Sequence, residues 1–100
     1  MKTYRLTKQA ESSLEAIAAY TQEKWGIAQR DKYLDVLAAS LEKLVAMPTK
    51  GRKRDELCEG LRSYPVAKHV VYYLMQDDTV LIADILHENM DPTSHMNPKT

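Results

Sequence analysis

Residues 60–91 read GLRSYPVAKHVVYYLMQDDTVLIADILHENMD, and the fold turns on this stretch. A leading segment Leu61–Tyr64, a strand Lys68–Met75, a turn at Asp77-Asp78 and a return strand Val80–His87 make a β-hairpin. Val, Ile and Tyr crowd it because branched and aromatic side chains suit a pleated, half-buried surface. Val70, Tyr72 and Leu74 point one way, and Val71, Tyr73 and Met75 the other. Both faces are therefore apolar and both call for cover. Alternation alone does not say which face the rest of the chain takes.

The cover comes from upstream. Leu34, Leu37, Leu41 and Leu44 repeat at helical spacing, with Ile27, Arg30 and Tyr33 ahead of them. The row spans little more than two heptads, too short for a sustained coiled coil, and reads as core. Met47-Pro48 ends this helix, because the residue before proline is pushed out of the α region. Earlier, Ala10, Leu14, Ile17, Ala18, Thr21 and Trp25 form one face of a helix over Lys8–Trp25. Thr7 is its N-cap, without the glutamate of a full capping box, and Gly26 closes it. So short a link makes the helices antiparallel neighbours. Tyr20, Trp25 and Tyr33 near this turn read as a satellite of the core. Tyr4 and Leu6 alternate with polar residues in a short strand with one buried face.

Residues 49–60 predict an exposed loop with at most a turn of helix. Asp91-Pro92-Thr93-Ser94 opens a last helix, and residues 97–100 are expected to fray. Helices grouped together against an antiparallel sheet give an α+β two-layer fold: an N-terminal strand, an antiparallel helical hairpin, then a three-stranded antiparallel sheet, in a single domain over residues 1–96.

The chain has 14 basic and 14 acidic residues, so net charge selects no partner, but the distribution is uneven. Lys50, Arg52, Lys53 and Arg54 crowd one loop, and Asp77, Asp78, Asp84, Glu88 and Asp91 form an acidic cluster at the other end of the hairpin. The single cysteine, Cys58, excludes an internal disulfide and a cysteine-rich zinc site, and fits a reducing compartment. Met1–Arg5 has no apolar run behind it and no stretch is long enough to span a membrane, which predicts a cytoplasmic protein without a signal peptide.

One ordered series of residues carries a resemblance. It runs Leu14-x-x-Ile17-x-x-Tyr20, Trp25-Gly26, Tyr33, Met47-Pro48 with Gly51, Gly60-Leu61-Arg62, His69-Val70-Val71-Tyr72-Tyr73 and Ile85-Leu86-His87-Glu88-x-Met90-Asp91. From about Tyr4 to Asp91 the chain resembles the ParE branch of the RelE/ParE superfamily of bacterial toxins. The resemblance implies the same α+β fold and the toxin role in a type II toxin–antitoxin pair. It implies action on DNA gyrase, a block to replication, and neutralisation by a ParD-like antitoxin. Operator DNA would be contacted only through the antitoxin. No cofactor, metal or membrane partner is implied.

The resemblance also frames the candidate residues. Target contacts are expected at Arg52, Lys53, Arg54, Arg62 and His87. The antitoxin is expected on the apolar sheet face at Val71, Tyr73, Met75 and Leu81. The superfamily's ribonuclease branch needs cations around a scissile phosphate and a group that moves a proton. Arg62, His69 and His87 are the residues for that alternative; an inactive member that serves only in antitoxin-complex regulation is another. Against these stand bland readings: His87 as a hydrogen-bonding residue tying the strand end to the next turn, and Arg62 as the partner of Asp84 or Glu88. His69, His87 and His95 lack the close spacing of common zinc ligands.

Overall fold

The computed structural model describes residues 3–95; the expectation for residues 97–100 lies outside them. In chain order the elements are β1 (Thr3–Leu6), α1 (Lys8–Trp25), α2 (Ile27–Ala46), a 3-10 turn (Pro48–Lys50), β2 (Arg52–Lys53), β3 (Arg62–Val66), β4 (His69–Gln76), β5 (Thr79–His87) and α3 (Pro92–His95).

The α+β class holds, but the sheet is larger than the sequence suggests. All five strands join one mixed sheet in the order β1-β5-β4-β3-β2. β1 runs parallel to β5, from Thr3 opposite Thr79 to Leu6 opposite Ile82, and the remaining pairs are antiparallel. A four-residue strand does not announce its partner. Thr7 fixes it here: its N–H donates to the Ile82 carbonyl at 3.1 Å, and its hydroxyl to the Ala83 carbonyl at 2.8 Å. The same hydroxyl accepts the Ala10 amide at 3.0 Å, so Thr7 caps α1. Ala10 is fully buried, which leaves no room for the glutamate of a capping box. β2 covers only Arg62 and Ser63 of β3. Pro65, beyond that cover, is tolerated on an open strand edge.

The helices settle on the Val71 and Tyr73 face. Ala10, Ile17, Leu37, Leu41 and Leu44 pack against Val71, Tyr73, Val80, Ile82 and Ile85, with Met75 at the margin. On the other face, Leu57 and Leu61 of the loop pack on Tyr72 and Leu86. That loop is therefore part of a second small core rather than wholly exposed.

β4 and β5 slip register between Tyr72 and Tyr73, and Asp84 lies opposite Tyr72 at this bulge. Asp84 is 1% exposed, so it does not belong to a surface acidic cluster. Its carboxylate accepts the Ser13 hydroxyl at 2.6 Å, the Gln9 amide at 2.8 Å and the Ile85 N–H at 2.8 Å. A buried carboxylate persists only with such partners. Asp84 thereby fastens α1 to β5.

Candidate functional site

The expected target residues separate into two groups. Arg52 and Lys53 are exposed on β2 at the sheet edge. Arg54 pairs with Glu56 at 2.7 Å and places its guanidinium 5.8 Å from the centre of the Tyr72 ring. Arg62 does not pair with Asp84, whose oxygens are held by α1. Its Nη1 donates to the Thr49 and Gly51 carbonyls, at 3.1 and 2.8 Å, and ties the 3-10 turn to β3.

His87 lies at the opposite end of the sheet, directly across from His69. The two rings meet edge to face at 5.4 Å. His69 Nδ1 pairs with the Tyr33 hydroxyl at 2.5 Å, which links α2 to β4. Burial, and then the neighbouring His87, hold the His69 imidazole below its ordinary pKa, with Glu88 acting in the opposite sense. Burial raises the Tyr33 phenol, against a backbone hydrogen bond from Lys68. His87 Nδ1 accepts the Asn89 amide at 3.1 Å, the turn-tying role anticipated for it.

Arg62 and His69 stand at opposite ends of the β3–β4 ladder, since Arg62 pairs with Tyr73 and His69 with Val66. Four residues of strand separate them, roughly 13 Å. Arg62, His69 and His87 do not converge on one point. Among the described residues, no cluster of three His, Cys, Asp or Glu side chains could hold a metal ion.

The expected antitoxin surface needs correction. Val71 and Tyr73 are fully buried and Met75 is half-buried against the same core, because the helices occupy that face. Leu81, half-buried, pairs with Leu74, which packs into the second core.

Two of the surface depressions among the described residues are large enough to receive a partner's side chains. A groove of about 540 Å³ runs between α1, α2 and β1, with Tyr4, Leu6, Leu14, Ala18, Leu34 and Leu41 among its walls and Glu11, Glu15 and Asp35 as its only charges. A cleft of about 570 Å³ opens beside the histidine pair, lined by Tyr20, Trp25, Tyr33, Lys68, His69 and His87 together with smaller or uncharged neighbours. Tyr20 is 61% and Trp25 68% exposed, so neither belongs to a core satellite. Residues 22–29 are exposed throughout, and Trp25 and Gln29 share the cleft with Lys68, His69 and His87. Helical spacing places Trp25 in line with Ile17 and Thr21 but does not reveal where close packing ends. No helix among the described residues is long and apolar enough to cross a membrane.

Comparison with known proteins agrees with this architecture. The family described as "ParE toxin of type II toxin-antitoxin system, parDE" matches residues 4–92. Toxin ParE1 of Caulobacter vibrioides is 32% identical over 96 residues, covering 96% of this chain and 99% of the relative. Toxin ParE of Escherichia coli is 35% identical over 92 residues, covering 91% and 89%. A solved structure of the chromosomal ParDE TA system from P. aeruginosa shares the fold, with a TM-score of 0.74 at 17% identity over 87% of this chain and 95% of that one. The chain belongs to the ParE toxin family of type II toxin–antitoxin systems.

Proposed function

We propose that this ParE-family chain is a non-enzymatic cytoplasmic toxin that inhibits DNA gyrase and blocks replication, and that a ParD-like antitoxin holds it inactive. Operator DNA is then met only through the antitoxin. Family membership supports the toxin role. The observation that favours protein binding over messenger cleavage is the separation of Arg62 from His69 and His87, each already tied to a structural partner. The antitoxin is assigned to the groove between α1, α2 and β1. Its apolar walls and three carboxylates suit an amphipathic helix flanked by basic residues.

The test is induction of the gene alone in a bacterium carrying a DNA-damage reporter, with message integrity followed in the same culture. Growth arrest with reporter induction and intact message is the expected result. Arrest with rapid message cleavage and a silent reporter would overturn it in favour of the ribonuclease branch.

A further inference from the structure

The groove is acidic, whereas the cleft wall carries one cation, with Glu88 near enough to act on His69 and Tyr33. The groove is lined by three carboxylates and no cation; the cleft is lined by Lys68 and no carboxylate. Lys24 adds a second cation at the rim, its Nζ 5.8 Å from the centre of the Tyr20 ring. The two depressions share no lining residue. One basic-flanked helix does not suit both.

The cleft also has the composition of a binding hot spot. Trp25 and Tyr20 are the most exposed large aromatics of the described chain, and such side chains dominate interface energies when a partner desolvates them. Ile17 and Tyr33 form the inner wall, and the paired imidazoles of His69 and His87 present hydrogen-bonding edges. A lone lining cation falls short of the continuous basic track that a nucleic-acid strand requires.

We propose that this cleft is where the toxin grips its target protein, and that its occupant is a loop carrying a carboxylate beside an aromatic or aliphatic side chain. The apolar side chain fills the space between Trp25 and Tyr20, and the carboxylate meets Lys68. The inference rests on the gyrase reading above and adds to it the residues that make the contact.

The experiment is a supercoiling assay with purified gyrase and purified toxin, using Trp25→Ala, Tyr20→Ala and Lys68→Glu, with antitoxin affinity measured for each variant. Trp25→Ala is expected to raise the half-inhibitory concentration about 30-fold and Lys68→Glu about 10-fold, following the usual size of hot-spot losses. Antitoxin affinity should stay within about twofold, which also certifies the fold. Wild-type toxin that leaves supercoiling untouched would overturn the gyrase reading and this inference with it. Wild-type inhibition retained by all three variants would overturn the inference alone. Trp25 is the only tryptophan, so its fluorescence reports directly on the cleft. Quenching by a single-stranded oligonucleotide, or loss of antitoxin binding in Trp25→Ala, would assign a different occupant and overturn it too.

Discussion

The hydroxyl of Tyr73 accepts the amide hydrogen of Gly51 at 2.9 Å. It also donates to the Pro48 carbonyl at 2.7 Å, so one buried side chain on β4 holds the turn that follows α2. A Cβ on Gly51 would fall on the Tyr73 hydroxyl and stand 2.8 Å from two of its ring carbons. Glycine is required here by close approach rather than by backbone angle.

Tyr73→Phe is expected to cost about 1–3 kcal/mol, because it leaves a buried amide without its acceptor. Gly51→Ala should cost about as much through overpacking. The two residues touch, so their effects should not add. Removing the hydroxyl relieves part of the clash, and Gly51→Ala should be milder in the Tyr73→Phe background. Urea midpoints of the four proteins, at constant m-value, check this.

Asp84→Ala should destabilise by about 1–3 kcal/mol, by stripping the acceptor from Ser13, Gln9 and the Ile85 amide at once. The loss should appear first as faster hydrogen exchange in the N-terminal turns of α1, which this carboxylate holds to the sheet. Uniform loss of protection across the chain would contradict that local role.

Stability should fall at both ends of the pH scale. The folded state holds His69 below its ordinary value of 6.5, so the unfolded chain binds that proton first on acidification. The corresponding stability is present above about pH 6.5 and is lost as pH falls through the lower folded value. Tyr33, His87 and Glu88 are the titratable groups facing it. Tyr33 and Tyr73 are both held above the ordinary 10.0. Their contribution is full below that value and is lost as pH rises through the folded ones. Urea midpoints from pH 5 to 11, with an NMR titration of His69, give the check. His69→Gln should flatten the acid limb.

Ala38→Lys places a cation in the carboxylate-lined groove assigned to the antitoxin, at a position already exposed. Antitoxin affinity should drop at least about tenfold, with thermal stability essentially unchanged. Unaltered affinity, measured by calorimetry, would move the antitoxin elsewhere.

Local signals in the sequence carried far. The Ala10, Leu14, Ile17 spacing with Thr7 and Gly26 at its ends marks the first helix at its observed bounds, and the leucine row marks the second. Features set by distant residues were not legible. Asp84 is buried because Gln9 and Ser13, 75 and 71 residues away, meet it; in sequence it is one more acid beside His87. Val71 and Tyr73 looked available because β4 is apolar on both sides, which makes alternation silent about which face the helices cover. Trp25 looked buried because helix periodicity does not report where close packing along the helix ends.

The parallel pairing of β1 with β5 also dictates an order of events during synthesis. Thr7 must wait for Ala83, 76 positions later, before the sheet can close, while the two helices have partners close at hand. Contacts of such long range form late and slowly. A ribosome partway through this chain therefore carries a helical hairpin with its apolar stripe uncovered and no finished sheet. Neither the groove, walled in part by β1, nor the cleft, floored by His87, exists until nearly the whole domain has emerged.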